Sequence, residues 1–217
     1  ESPYLARFTG DSSYVYLGPP PGDTLAAVVA LRLFDDEGQP RGQIQAQEIW
    51  LYESGSFVVA EGATRIVVSG SDGATVQADR LEIEDEAVTA TGSVRAEVPG
   101  ASVQAPRLTL ADGGAFTATG GVSARLTDAN ATVRAQSVRG VGDRYTAEGS
   151  ARVQTSGGRT LRASRVVWDE SARLFTAPGS FSFDGPSERA RGVGLEASAD
   201  LSRYSFRQAS GEIEVRE

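Results

Sequence analysis

The sequence predicts an all-β fold, built from about six repeats of 27 to 32 residues with two strands each. The first observation is a repeated skeleton, clearest from Ser102 to Asp128, of Val-x-Ala, Leu-x-Leu, a Gly-rich turn and Phe-x-Ala-x-Gly-x-Val-x-Ala-x-Leu. Self-similarity at a fixed period is the signature of a repeat protein. The second is a period-two alternation of apolar and polar residues, as in half-buried strands. The third is a change of apolar parity within the first strand of a copy, which requires a bulge or bend.

Five copies have an anchoring alanine in their first strand, and all six have an anchoring glycine in their second. The copies span 42–68, 75–98, 102–128, 132–155, 160–184 and 191–215. The anchoring residues are Ala46, Ala78, Ala105, Ala135 and Ala163, with Gly62, Gly92, Gly120, Gly149, Gly179 and Gly211. Because one kind of unit recurs, we expect a single domain over residues 1–217. Residues 1–41 are its N-terminal extension and entry strand, and residues 42–217 are its repeats.

The parity change locates the bend within each copy. Val103 and Ala105 share one parity, whereas Leu108 and Leu110 share the other. The same change occurs in the copies that begin at residues 75 and 160. We predict that the chain crosses from one sheet to a facing sheet just after each alanine. Pro106 occupies this position in the central copy, which suits a residue that donates no hydrogen bond to a sheet ladder.

The ends of the chain are less regular than the repeats. A short edge strand is predicted at Tyr14 to Leu17, before the Pro-rich stop at 18–22. The segment from Thr24 to Phe34 is apolar enough for a covered strand, with a helix as the alternative. The final strand, Gly211 to Val215, is followed by charged residues, which discourage indiscriminate pairing at a sheet edge.

The composition limits the chemistry that the chain can perform. It contains no Cys, His, Met or Lys, so all 21 basic residues are Arg. Without Cys and His, most nucleophile–base pairs and the usual zinc sites are excluded. The acidic run from Glu82 to Glu86 lacks the spacing of a calcium loop and is interpreted as a solvated hairpin tip. We therefore predict no catalytic residue, no cofactor and no metal site.

Charge is distributed unevenly along the chain. The formal net charge is −8, with −10 on residues 1–100 and +2 on residues 101–217. Eight arginines and four acidic residues lie between Thr132 and Phe175. We interpret most of these arginines as solvated strand positions, with an anionic lipid head group as the alternative. An acidic chain without a basic tail is not expected to bind nucleic acid.

The paired motifs of three copies resemble a known family. The motifs are ADRLEI (78–83) with ATGSV (90–94), APRLTL (105–110) with ATGGV (118–122), and ASRVVW (163–168) with APGSF (177–181). Together with the entry segment at 31–52, they resemble the OstA-like family, the periplasmic lipopolysaccharide-transport proteins of the LptA and LptC type. The resemblance implies a periplasmic location, and we expect the signal peptide or anchor to be absent from this chain. No apolar run approaches the ~20 residues of a membrane span.

The resemblance also implies a fold and a role. The family folds as an open antiparallel β-jellyroll, two facing sheets in a V, and acyl chains travel in the apolar groove between them. The many inward Ala and Gly residues agree with such a groove, since they are too small to fill a gap of ~10 Å between sheets. The residues expected to contact lipid are Val76, Leu81, Ile83, Val94, Leu108, Leu110, Phe116, Val122, Leu126, Tyr145, Val153, Trp168, Phe175, Phe181 and Phe183.

The expected partners follow from the same resemblance. They are lipopolysaccharide or another envelope lipid, other transport-bridge proteins that add strands at the sheet edges, and further copies of the chain in head-to-tail order. Two alternatives stay open at this point. One is a structural envelope-assembly protein with a closed core and no ligand. The other is a carbohydrate-active parallel β-helix, for which a carboxylate pair would supply the catalysis.

Overall fold

The computed structural model describes residues 29–34, 40–51, 57–68, 73–84, 87–111 and 114–209. In these ranges the chain consists of β-strands joined by turns, without an α-helix. The predicted fold class, an all-β antiparallel jellyroll, is confirmed. A parallel β-helix is contradicted, because the described strands pair in antiparallel fashion. No helix in these ranges is long and apolar enough to span a membrane.

The described residues form fourteen strands. They are β1 (Val29–Phe34), β2 (Pro40–Ala46), β3 (Glu48–Leu51), β4 (Phe57–Val68), β5 (Ala74–Glu84), β6 (Ala87–Val98), β7 (Ala101–Leu110), β8 (Phe116–Leu126), β9 (Ala131–Val141), β10 (Arg144–Thr155), β11 (Thr160–Asp169), β12 (Leu174–Asp184), β13 (Arg189–Ser198) and β14 (Tyr204–Ala209). Each predicted copy between residues 75 and 184 corresponds to two successive strands.

The chain divides into two compact units. The first contains residues 1–99 and 106–114, and the second contains residues 100–105 and 115–217. In the first unit the strands pair in the order β1, β2, β4, β5 and β6, with β3 also on β4. In the second unit each strand from β8 to β14 pairs with the next. The single domain over residues 1–217 stays a prediction.

The predicted bend after the anchoring alanine is confirmed in both units. In β5, Ala78 is buried, Asp79 is exposed, Arg80 is half-buried and Leu81 is buried again. The pairing of β5 with β6 shifts register at the same place, between Gln77 and Arg80. The same succession of buried and exposed residues occurs in β9 of the second unit. A bulge of this kind turns the strand and keeps the apolar side chains of both halves on the interior side.

A glycine with a left-handed backbone lies beside these bends. Gly92 on β6 has a φ of +96°, and a Cβ there would lie 2.7 Å from the Asp79 side chain. The Asp79 carboxylate accepts a hydrogen bond from the backbone N–H of Ser93 at 2.9 Å. In the second unit, Gly149 has a φ of +78°, and its Cβ would lie 2.7 Å from the Gln136 side chain. The anchoring glycine therefore leaves room for the polar residue that follows the alanine.

Parts of the predictions for the chain ends fall within the described residues. The strand β1, Val29–Phe34, confirms a strand over that part of the segment from Thr24 to Phe34 and contradicts a helix there. Residues 24–28, the predicted edge strand at Tyr14 to Leu17 and the predicted final strand from Gly211 to Val215 lie outside the described residues.

Candidate functional site

The second unit contains an apolar cavity between the two halves of its bent strands. Its volume is about 10 Å³, which is room for about one water-sized probe. The lining residues are Ala124, Leu126, Val133, Val138, Tyr145, Ala147, Val166, Trp168 and Phe175. Val133 precedes the bend of β9 and Val138 follows it. The two halves therefore form two layers that share one apolar interior.

Large aromatic rings form part of the wall of this cavity. Trp168 on β11 and Phe175 on β12 are register partners, and their ring centroids lie 4.5 Å apart with the planes tilted by 39°. Phe175 has no exposed surface and Trp168 is 2% exposed. Phe116 and Tyr145 form a second pair at a centroid distance of 6.2 Å. Rings at these distances attract one another, so an acyl chain can enter only if the rings rotate or the layers separate.

A second aromatic cluster lies near β14. Phe183 packs against Tyr204 at a centroid distance of 4.8 Å, and Phe181 lies 6.1 Å from Phe206. The Tyr204 hydroxyl donates a hydrogen bond to the Glu188 carboxylate at 3.0 Å. These rings do not line the cavity. They pack the side chains of β14 against β12 instead.

All of the residues that the sequence predicts to contact lipid are buried. Those in the first unit are Val76, Leu81, Ile83, Val94, Leu108 and Leu110. Those in the second unit are Phe116, Val122, Leu126, Tyr145, Val153, Trp168, Phe175, Phe181 and Phe183. The structure brings Leu126, Tyr145, Trp168 and Phe175 together at the cavity. Because burial is common to core packing and to lipid contact, lipid binding by the whole set stays a prediction.

The smaller side chains of the cavity are not among the residues predicted to contact lipid. They are Ala124, Val133, Val138, Ala147 and Val166. These small residues have the same inward parity as the larger residues on the same strands, and that parity could have identified them. The predicted lipid contacts were the bulky inward residues, whereas the cavity forms where small residues from both layers meet.

The free edge of the two layers, opposite the bends, is closed by hairpin turns. The Asp128 carboxyl in the β8–β9 turn lies close enough to the Glu170 carboxyl in the β11–β12 turn to raise its pKa. The Arg173 guanidinium donates to the backbone carbonyl of Asp128 at 3.2 Å. The Tyr145 hydroxyl, at the end of a cavity-lining ring, also hydrogen-bonds to Glu170. These two turns lie at the ends of opposite layers, and the contacts between them join the layers at the free edge. We call Asp128, Tyr145, Glu170 and Arg173 the turn latch.

Burial shifts the protonation of two members of the turn latch. Burial raises the pKa of the Tyr145 hydroxyl, and the nearby Glu170 carboxylate raises it further. Burial also raises the pKa of Glu170, with Asp128 as the next cause and Asp143 as a smaller one, while the hydrogen bond to Tyr145 lowers it. A Cβ at Gly100 would lie 2.6 Å from the Glu170 carboxylate and 2.7 Å from the Tyr145 hydroxyl. Only glycine therefore lets these groups approach the backbone there.

The raised pKa of Glu170 predicts a specific pH dependence of stability. The folded state holds this proton more tightly than the unfolded chain, in which glutamate titrates near pH ~4.3. The stabilisation is complete below that pH and is lost as the pH rises through the higher folded-state pKa. We expect the free energy of unfolding of the wild type to fall, relative to that of Glu170→Gln, as the pH rises through this window. Urea titrations at a series of pH values measure this difference. The matched control variant is Glu196→Gln, at an exposed position of β13. A parallel profile for Glu170→Gln would contradict the prediction.

Two acidic residues of the first unit form ion pairs with one arginine. Arg80 contacts Glu82 at 2.8 Å and also contacts Glu61. Ion pairs at half-exposed positions contribute about 1 kcal/mol or less. Within the described ranges, no group of three or more acidic side chains is arranged to hold a metal ion. Asp85 and Glu86 of the predicted hairpin tip lie outside those ranges.

Comparison with known proteins identifies no family for this chain. No protein-family model matches it, and no curated protein is similar to it in sequence. Among solved structures, it is similar to LptH, the LptA homologous periplasmic component of the conserved lipopolysaccharide transport device from Pseudomonas aeruginosa. That match covers 62% of this chain and 79% of the other, with 15% identity and a TM-score of 0.27. A match of this extent establishes neither a shared fold nor a shared function.

Proposed function

We propose that the protein is a non-enzymatic, extracytoplasmic lipid carrier. It shields the acyl chains of lipopolysaccharide or a related envelope lipid in its apolar interior while the lipid passes between the inner and outer membrane. The observation that carries this proposal is the two-layer interior of the second unit. Its cavity is lined by apolar side chains and by the ring of Tyr145. Such a lining accepts methylene chains without a polar contact to the lipid.

Lipid entry requires the two layers to move apart, since the cavity of about 10 Å³ is far smaller than an acyl chain. A buried methylene contributes about 0.8 kcal/mol, so a dozen contribute about 10 kcal/mol. The hydrogen bonds of the turn latch are worth about 1 kcal/mol each. Burial of the acyl chain can therefore offset the opening of the turn latch. We propose that the layers separate at this free edge, with the bends acting as the hinge.

The partners and location are proposed from the sequence resemblance. The alanine-anchored motifs resemble the OstA-like family, which supports a periplasmic location and an envelope lipid as cargo. Transport-bridge proteins, or further copies in head-to-tail order, would add strands at the sheet ends. In the described part of the second unit, β14 pairs with β13 alone, which makes it one candidate for strand addition.

A cross-link across the turn latch tests the carrier proposal directly. The chain has no native cysteine, so Asp128→Cys/Glu170→Cys can be bridged selectively with a short bis-thiol reagent. We expect the unbridged protein to take up lipopolysaccharide or a fluorescent fatty acid, and bridging to slow this uptake at least tenfold. The matched control is Asp143→Cys/Glu170→Cys. The backbones of those two turns are hydrogen-bonded at 2.8 Å on the same layer, so their bridge should leave uptake unchanged.

Two results would contradict the carrier. One is equal uptake by the two bridged proteins. The other is a clean apo mass in native mass spectrometry, with no glycolipid or phospholipid after extraction and no uptake when envelope lipids are added. Near-stoichiometric lipid in that measurement would support the carrier and identify the cargo class.

A structural protein with a closed core is the second candidate function. It is favoured by the burial of Trp168 and Phe175 and by the small size of the cavity. In that case the turn latch serves stability alone. Both bridged proteins would then be more stable than their unbridged forms, and neither would bind lipid.

A further inference from the structure

One outer face of the second unit is strongly basic. Its outward positions on β8 to β13 form two adjacent cross-strand rows, which lie on the strand halves next to the β8–β9 turn. The arginines in these rows are Arg125, Arg134, Arg152, Arg162, Arg189 and Arg191. The one carboxylate in the two rows is Asp184. We call these rows the basic face; its net charge is +5, in a chain whose net charge is −8.

Three arginines of the basic face are direct cross-strand neighbours. Arg152 on β10 pairs with Arg134 on β9 and with Arg162 on β11. Adjacent strands lie about 4.8 Å apart, and like charges directly opposite one another destabilise a sheet. The repulsion between these arginines therefore lowers the stability of the sheet. A contribution to stability does not explain why they lie in one row.

Few counter-charges in the described part of the chain neutralise the basic face. Asp184 pairs with Arg162 at 2.8 Å and with Arg189 at 3.2 Å. No ion pair or side-chain hydrogen bond joins the guanidinium groups of the other four arginines to a residue of the described ranges. The buried Nε of Arg152 also has no acceptor there. The face thus presents several guanidinium donors to an external anion.

The outward positions on the other half of the same strands differ in charge. There, Arg144 pairs with Asp169 at 3.0 Å, and Arg165 lies 3.6 Å from Glu148. Two arginines on that half, Arg144 and Arg165, are thus matched by acidic neighbours, and Arg139 has threonines as its register partners. The excess of unpaired arginine is a property of one face and does not extend over the whole unit.

We infer that the basic face docks the protein on an anionic lipid bilayer, with its guanidinium groups on the phosphates of the lipid head groups. Guanidinium is the side chain best suited to bind phosphate oxygens in pairs. Six adjacent strands present a face about 24 Å wide, a breadth that suits a planar charged surface. This inference does not depend on the proposed lipid cargo, because the basic face lies outside the apolar interior.

The residues between the arginines favour a bilayer over nucleic acid. The two rows contain serine, threonine and glutamine beside the charged residues. No aromatic side chain lies in them to stack on the bases of a single strand. Salt screens charges beyond about 10 Å at 0.1 M ionic strength, so acidic groups farther than that from the basic face weaken its attraction to an anionic surface only slightly. The basic face can therefore orient the protein on an anionic surface despite its negative net charge.

Vesicle co-sedimentation tests this inference. We expect the protein to bind vesicles of phosphatidylcholine with phosphatidylglycerol and not vesicles of phosphatidylcholine alone. Each arginine near such a surface contributes about fivefold to the partition coefficient. The exposed triple variant Arg125→Gln/Arg134→Gln/Arg191→Gln should therefore lose about 100-fold in binding. A rise in salt should weaken the wild type more steeply than the variant.

The matched control is Arg139→Gln/Arg144→Gln/Arg165→Gln on the other outer half of the same unit. It makes the same change in net charge, and we expect it to alter binding less than threefold. Equal losses in the two triple variants would overturn the inference, as would the absence of wild-type binding to the anionic vesicles. Displacement by inorganic phosphate at matched ionic strength would overturn it in favour of a free anion. Tighter binding to a single-stranded oligonucleotide would overturn it in favour of nucleic acid.

Discussion

Replacing Phe175 with alanine should lower the free energy of unfolding by about 3 to 5 kcal/mol, the usual range for a phenylalanine deleted from a packed core. Phe175 has no exposed surface, stacks on Trp168 and lines the cavity of the second unit. The lost ring would enlarge a cavity that is already present, which leaves the surrounding side chains without contacts. Urea unfolding followed by tryptophan fluorescence measures this loss, since Trp168 reports on the same site.

The neighbouring Leu174 provides the control. It lies on the same strand with its side chain 39% exposed, so Leu174→Ala should cost less than about 1 kcal/mol. Similar costs for the two variants would mean that Phe175 is not packed in the interior. If the protein is a carrier, Phe175→Ala should also take up acyl chains faster, because the ring no longer blocks the space between the layers.

Replacing Gly140 with alanine should cost about 1 to 3 kcal/mol, although alanine is the better strand residue. Gly140 on β9 is the register partner of Phe116 on β8. A Cβ at Gly140 would lie 2.8 Å from the Cδ1 atom of the Phe116 ring. Phe116 is buried and cannot move away freely, so the added methyl group overpacks the core. Thermal and urea unfolding would measure the loss.

Two variants show whether this contact is the cause. Gly179→Ala places its Cβ 3.7 Å from the Ser164 hydroxyl, an ordinary contact, and should be neutral or slightly stabilising. In a double-mutant cycle, Phe116→Leu should relieve most of the cost of Gly140→Ala. Additive effects of the two substitutions would contradict a clash between Gly140 and Phe116.

The bends were predictable because their cause is local. The parity of apolar residues changes between Ala78 and Leu81, and a strand can change its buried face only through a bulge. The structure places the bulge of β5 there, between Gln77 and Arg80. The inward placement of Trp168 and Phe175 follows from the same period of two. The sequence therefore predicts which side chains are buried.

The cavity and the turn latch depend on distances that sequence spacing does not contain. Val133 and Val138 are five positions apart and meet across the interior only because β9 bends between them. Asp128 and Glu170 lie in different copies and come together only when the two layers close. Parity assigns a residue to the interior, but it does not determine how far apart the two layers lie.

By itself, the sequence determined the fold class, the strand pattern, the bends after the alanines and the apolar character of the interior. These follow from the period-two alternation and from the backbone preferences of glycine, which act over a few residues. The placement of Arg134, Arg152 and Arg162 in one row follows from the tertiary fold. Their spacing along the chain is irregular, and they become neighbours because the turns and bulges set the register between strands. Register converts scattered charges into a surface, and it exists only once the sheet has formed.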